Sequence, residues 1–450
     1  MYYHKFALDK KVAQDLSKEE KELLVILEGI VKDASLIYKI QLEKGFYPKG
    51  VTVEQLEKAA ENDKSIASPY TNVEMKNDQL EAVSYHKYFA EHLEPIAKKI
   101  EKAAGICTNK SLKVSLQAQA RSLIDGSYEE AYNQWLNVKN SNVDFYIGFL
   151  ERHLDKAFFI KKTLQAHVGI VDKKYSKLME DNKETLYSSA KISFSKYHST
   201  GIPKRGVSVF VEHITAIAGY PAYVLTSGQY FPSDFDMALK YGSKTIIYYS
   251  IVKFKFNKWY YPIFHKIFEK TFASKYSKDL LFEAALWCIF LYELGKQLHR
   301  YNGARKRLQD AFGPLDEANG FVSGIEHSKH LVVKGLLSQD TLEAIMIIHI
   351  IWMQTDWLLF KNNIAKHDHI IGSSILFNSY LSHGALREQA GISWPNFSRI
   401  FFEIEALSYK FVYLLQEGTY AEAREFIEKM GDLKVLEKLS VNLKKISTKV

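Results

Sequence analysis

The sequence predicts a mainly α-helical protein with a small β-sheet, an α+β class in two lobes, and three observations carry that prediction. Apolar residues recur at helical spacing through most of the chain. One interval, about residues 190–251, switches to β-branched and aromatic runs separated by glycines. With 450 residues the chain exceeds what one simple core holds by default. A mixed lobe over 1–250 and a helical lobe over 251–450 are therefore expected.

The elements follow in order. Ser17-Lys-Glu-Glu20 has capping-box spacing, and Leu23, Leu24, Leu27, Val31 and Ala34 then recur at helical intervals, so a first helix starts there. Thr52 to Gln55 repeats that spacing for a short second helix. Residues 61–78 are polar and broken by Ser68-Pro69, which predicts a loop. Leu80, Val83, Phe89, Leu93, Ile96 and Ile100 mark a long helix closed at Gly105, with Pro95 available to kink it. The first 135 residues thus read as mainly helical. Val207-Ser-Val-Phe-Val211, Ala222-Tyr-Val-Leu225 and Thr245-Ile-Ile-Tyr-Tyr249 read as strands, with Gly201, Gly206, Gly219, Gly228 and Gly242 around them. From Leu280 helical spacing returns and continues nearly to the end, and no internal repeat is visible.

Composition narrows the function classes. Hydrophobic residues at 47% and charged residues at 25% exclude wholesale disorder. The net charge of +8 is scattered rather than gathered into a block, so no nucleic-acid partner is expected. Lys253-Phe-Lys-Phe-Asn-Lys-Trp-Tyr-Tyr261 alternates cations with aromatics as a base-stacking platform would, but a helix or strand edge with one wet face is the simpler reading. Cys107 and Cys288 cannot build a disulfide framework or a cysteine-based zinc site, which fits a reducing compartment. The N-terminus lacks the apolar core of a secretory signal, and apolar runs such as Ile345–Met353 stop short of the roughly 20 residues of a membrane span. A cytoplasmic location without membrane attachment is expected.

Leu291-Tyr-Glu-Leu-Gly-Lys-Gln-Leu-His299 lies in a predicted helix and is followed by Leu315-Asp-Glu-Ala-Asn-Gly-Phe321. In outline the pair resembles the dipeptidyl peptidase III-like zinc-metallopeptidase family, in which a His-Glu-x-x-His or slightly longer helix motif precedes a Glu-Glu-x-x-x-acid helix. Tyr146-Ile-Gly-Phe-Leu-Glu-Arg-His-Leu-Asp155 is similar to a cleft-lining segment of that family, which implies a ligand contact for Glu151. His369, Asn378 and Gly384-Ala385 resemble its later His-Gly-x-x-Asn region and Lys-Gly-Ala turn, which implies a ligand contact for Asn378, and Leu16-Ser-Lys-Glu-Glu-Lys also looks familial. The resemblance spans nearly the whole chain and implies a two-lobed, zincin-like architecture with a central cleft that takes a small molecule or peptide.

The chemistry of that family does not carry over intact. A helical zinc motif needs two neutral imidazoles at i and i+4, with a glutamate beside the first as base. Here those positions read Tyr292, Glu293 and Lys296, so the base persists and both imidazoles are replaced. An ammonium and a phenol, both protonated at neutral pH, are poor zinc ligands. Glu317 matches the family's carboxylate ligand, and Phe321 stands at the position of the acid that would orient a ligating histidine. No metal or other cofactor is expected; Lys296 is expected to pair with Glu317, and Glu293 as a second partner, as the local positive charge.

His299 with Glu317 and His369 is a conceivable displaced metal site. His367-Asp-His369 reads as a His-x-His in a polar loop, and His327 and His330 as structural. One functional expectation is a metal-independent enzyme in which Glu293 is general base, Tyr292 or Lys296 donates a proton or stabilises an oxyanion, and His369 contacts a carbonyl, as in isomerase, cyclase or lyase chemistry. A desolvated Lys296 would also suit Schiff-base formation. The alternatives are an inactive pseudopeptidase that binds a peptide or small ligand, and a zinc peptidase with displaced ligands.

Overall fold

The computed structural model describes residues 2–152, 154–193, 207–232, 235–298, 301, 303–363, 366–443 and 445–446. It comprises two compact units, Met1–Lys173 with Val211–Thr226 and Phe231–Lys244, and Lys174–Phe210 with Ser227–Tyr230 and Thr245–Val450. The chain therefore changes unit at 173/174, 210/211, 226/227, 230/231 and 244/245.

The first unit opens with strand β1 (Tyr3–Lys5) and helix α1 (Lys18–Lys44). Ser17 Oγ accepts from the Glu20 amide at 3.1 Å while the Glu20 carboxylate accepts from the Ser17 amide at 2.8 Å, so the predicted capping box closes the first turn. Leu23, Leu24, Leu27, Val31 and Ala34 form its buried face, as their spacing requires. Helix α2 (Val53–Asn62) starts on the same device at Thr52 and Gln55.

The next segment corrects the reading. Thr71–Lys76 (β2) and Gln79–Ser84 (β3) pair as an antiparallel hairpin where a loop and the start of a helix were expected. Asn77 and Asp78 both adopt positive φ, 48° and 59°, the conformation of a two-residue hairpin turn, so Leu80 and Val83 belong to a strand. Helix α3 (Ala90–Ile106) begins only after this hairpin and carries Pro95 inside it. Helices α4 (Lys110–Asp125) and α5 (Tyr128–Leu136) follow.

Strands β4 (Val143–Glu151), β5 (Thr163–Val171) and β6 (Val207–Ala218) are consecutive antiparallel neighbours, and β1 pairs with β6 through Tyr3 and Ala218. β4 pairs with β5 from Val143 opposite Ile170 to Glu151 opposite Thr163. Every residue of β4 is buried, so it lacks the polar alternation that reveals a half-exposed strand. Asp155, in the β4–β5 connection, accepts from the amides of Ala157, Phe158, Ile160 and Lys161 at 2.9–3.2 Å, which ties that loop down. The run at Ala222–Leu225 is not a strand: Pro221 favours a helical turn at Tyr220–Tyr223, and the backbone then reverses at Leu225, φ 50°.

The second unit is a helical assembly. After α6 (Lys173–Ser193) come strands β7 (Gly228–Phe231) and β8 (Ser243–Tyr248), which straddle the unit boundaries. Helix α7 (Tyr249–Lys255) continues through a π-helical turn at Phe256–Tyr260 into α8 (Tyr261–Ile267). Phe256, Trp259 and Tyr260 are buried in that stretch, so its aromatics pack the core rather than offer a face to bases. The longer helices that follow are α9 (Lys278–Leu298), α10 (Phe312–Val333), α11 (Gln339–Phe360), α12 (His367–Ser382), α13 (Phe397–Gln416) and α14 (Tyr420–Met430).

Helix α11 is longer than its apolar run suggested. Within its 22 residues an 18-residue window reaches a mean hydropathy of 1.3, enough by length and composition to cross a membrane, but 83% of that window is buried inside the fold, as in a core helix. Helices α9 and α10 meet through glycine. A Cβ on Gly324 would lie 1.8 Å from the Leu291 carbonyl oxygen, and one on Gly295 would lie 2.8 Å from the Gly324 amide. That contact sets the height of one helix against the other, and the site depends on it.

Candidate functional site

Tyr292 and Lys296 lie one turn apart on α9 and project toward α10, which delivers Asp316 and Glu317. The Lys296 ammonium donates to Glu317 Oε1 at 2.7 Å and stands 4.0 Å from Asp316. The Tyr292 hydroxyl donates to the other Glu317 oxygen, Oε2. From the start of α12, His369 Nε2 comes within 3.1 Å of Glu317 Oε2 and 3.3 Å of the Tyr292 hydroxyl. Gly320 makes the room, since a Cβ there would press at 3.0 Å on both Lys296 and Tyr292.

The other side of His369 faces α11. Its Nδ1 is 3.6 Å from Asp356 Oδ2, and Lys366 Nζ is 3.7 Å from the same carboxylate. Trp352 and Phe321 wall the cluster: Phe321 lies 5.1 Å from the Tyr292 ring and 5.9 Å, edge-on, from that of His369. Phe321 thus gives His369 a hydrocarbon neighbour, and the carboxylate facing that imidazole from the core is Asp356.

The electrostatics fix most protonation states. Burial alone would raise the Glu317 carboxyl, but the neighbouring His369 and Lys296 charges overcome it and hold the group well below the usual carboxylate range. Burial works against the Lys296 ammonium too, and Glu317 and then Asp316 reverse this, raising it above the ordinary lysine value. Burial and then Glu317 push the Tyr292 phenol far up. At neutral pH the trio is carboxylate, ammonium and phenol. A Lys296 so strongly protonated has no free lone pair, which corrects the expectation of a Schiff-base nucleophile.

The residues do not suit a zinc ion at the helix motif. Lys296 already places a cation on Glu317, and Tyr292 keeps its proton. Glu293 is buried on α9 with its Cγ near β7, where a Cβ on Gly228 would meet it at 3.3 Å. Glu151 lies at the end of β4 in the first unit, and its carbonyl accepts from Thr163. Asn378, expected at the ligand, donates its amide to the carbonyls of Met430 and Asp432 at 2.8 and 3.1 Å and so ties α12 to the end of α14. His299 lies outside the described residues. His367 and His369 occupy the first turn of α12 rather than a loop; His367 is exposed and His369 buried. His327 is fully buried on α10, as a structural residue would be, and His330 is half-buried.

Asp356 and Lys366 were missed by the sequence reading. The signal for Asp356 was a carboxylate deep inside the apolar α11 run, a position that a charged residue occupies only with partners. Lys366 carries no such signal, since it precedes α12 in a polar stretch.

A sequence model of peptidase family M49 matches residues 16–191. The solved structure of dipeptidyl peptidase III from Caldithrix abyssi superimposes with a TM-score of 0.85 over 98% of this chain and 95% of that one, at 19% identity. The enzyme from Corallococcus sp. strain EGB gives 0.87 over 99% and 94%, at 18% identity. The fold is that of dipeptidyl peptidase III. Nudix hydrolase 3 of Arabidopsis thaliana is 23% identical over 363 residues, which are 78% of this chain and 46% of that protein. The chain thus spans about half the length of this curated relative. In this dipeptidyl peptidase III-like chain the helix motif holds a tyrosine and a lysine, and α10 answers with a carboxylate already neutralised by that lysine.

Proposed function

We propose that this dipeptidyl peptidase III-like chain does not act as a zinc peptidase and instead binds a peptide or small polar ligand beside the α9–α10 pair. The observation that carries this reading is the 2.7 Å ion pair between Lys296 and Glu317, closed on its other oxygen by Tyr292. Glu317 is a far weaker base, and Lys296 and Tyr292 far weaker acids, than neutral-pH proton transfer calls for. Fixed charges and a fixed phenol suit recognition of carbonyl and carboxylate groups better than turnover.

A specific arrangement favours a second reading, a metal-independent acid–base enzyme. His369 stands between Asp356 at 3.6 Å and the Tyr292 hydroxyl at 3.3 Å, a carboxylate–imidazole–phenol line of the kind that moves protons next to a carbonyl, with Glu293 as the base on α9. The test is one panel of short peptides and small carbonyl compounds, read for binding by thermal shift and for turnover by mass spectrometry. The binding reading expects ligands that raise the melting midpoint and no product. Product lost in both Glu293→Gln and His369→Gln would replace it by the enzyme reading, and chelator-sensitive peptide hydrolysis would overturn both.

A further inference from the structure

A second cluster of ionisable groups lies in the core of the first unit, apart from the residues used above. Asp144 on β4, His167 on β5 and Glu212 on β6 come from three consecutive strands of the sheet. His167 Nε2 is 3.3 Å from Asp144 Oδ2 and 3.9 Å from Glu212 Oε2, and one ligand atom from each residue falls within 4.8 Å of the other two. Water does not reach them: the side chains of His167 and Glu212 are 0% exposed and that of Asp144 is 3%.

Glu212 is the informative member. Both of its carboxylate oxygens are buried and neither accepts a hydrogen bond from a donor group, and burial together with the adjacent Asp144 carboxylate pushes its carboxyl well above the ordinary range. It points toward the imidazole nitrogen and the Asp144 oxygen rather than toward hydrocarbon. Asp144, by contrast, is well supported. Trp135 Nε1 donates to its carboxylate at 3.0 Å, and Lys244, seated 4.1 Å over the Trp135 ring, contacts Oδ1 at 3.2 Å. The lysine thus holds Oδ1, while Oδ2 accepts from Trp135 Nε1 and lies 3.3 Å from His167 Nε2. The Phe231 ring, nearly parallel to His167 at 14°, helps hold the imidazole plane.

We propose that Asp144, His167 and Glu212 form a closed site for one divalent transition-metal ion that ties β4, β5 and β6 together. Two carboxylates and an imidazole are the donor set that zinc, manganese and cobalt(II) accept. Lys244 and Trp135 orient one ligand from outside, as supporting groups do around metal centres. The enclosure fits a structural ion rather than a catalytic one, since no side is left open for a substrate. The site is independent of the α9–α10 pair and of the function proposed for it.

The experiment uses the full chain, stripped with chelator and titrated with cobalt(II) and then zinc. One cobalt per chain should survive desalting, show the visible absorption of a nitrogen–oxygen site, be displaced by zinc and raise the melting midpoint. Glu212→Gln should weaken retention about tenfold or more, while Glu317→Gln should leave it unchanged, which separates this site from the helix pair. If Glu212→Gln does not fold, Lys244→Met serves instead, with a changed cobalt spectrum expected. The proposal is overturned if the wild-type chain keeps no ion and its melting midpoint ignores metal, the result expected if Glu212 instead shares a proton with Asp144. Retention unaffected by Glu212→Gln, or a cobalt spectrum unchanged by Lys244→Met in its place, overturns it equally.

Discussion

Lys296 and Glu317 join α9 to α10 by a single buried ion pair. The pair is about nine-tenths buried, so each charge depends on the other for solvation. Lys296→Met strands a buried carboxylate, and a loss of about 3–5 kcal/mol is expected by urea unfolding. Adding Glu317→Gln to that variant should recover most of the loss, because no unpaired charge remains. Tyr292→His with Lys296→His restores imidazoles at i and i+4 beside Glu317; metal analysis after dialysis should then find zinc in the double variant and far less in either single one.

The sign of the pH effect follows from the same pair. Glu317 is held below its ordinary 4.5, so its stabilisation is complete above that value and fades as pH falls below it; Lys296 is held above 10.5, so its share is complete below that value and fades only in strong alkali. Glu317→Gln should therefore flatten the acid side of a stability–pH curve. At this scale the family resemblance singled out Tyr292, Glu293, Lys296 and Glu317, and the structure brings Tyr292, Lys296 and Glu317 into contact. Asp356 reaches the site only through tertiary packing, and Asn378 is occupied by a helix end that no local pattern reveals.

Elements with local signals were readable, and those without were not. α1 and α2 announce themselves through capping boxes that close as written, because caps are contacts between residues three apart. β4 hides because it is buried throughout, and the β2–β3 hairpin because its apolar residues also fit a helical period. The α9–α10 contact is also silent in sequence, since a glycine inside a helix does not say what backbone it approaches. Gly324→Ala should drive a methyl into the Leu291 carbonyl and lower stability by about 1–3 kcal/mol or more. Gly29→Ala, inside α1 with nothing within 4 Å of the added carbon, should instead raise it by up to about 1 kcal/mol. Melting midpoints of the two variants against wild type check both signs.

Across the whole molecule the dipeptidyl peptidase III fold is kept at 18–19% identity, so what persists is the arrangement of buried faces rather than particular residues. The helical character and central strands were legible from periodicity, whereas the repeated exchange of chain between the two units was not, because it depends on which strand pairs with which. Global stability should also carry the mark of a core histidine. His349, on α11, is pushed down to about 3 by burial, with Nε2 3.1 Å from the Tyr380 hydroxyl. The unfolded chain binds a proton there below about 6.5 and the folded chain does not, so stability rises with pH between about 3 and 6.5 by up to ~1.4 kcal/mol per pH unit. His349→Gln should remove that slope in denaturant titrations. The glycine seam between α9 and α10 has one more consequence. Helices braced main chain to main chain act as a fixed gauge, so whatever side chains occupy 292 and 296 arrive at the same two points relative to Glu317. Chemistry can be exchanged at those points without refitting the frame around them.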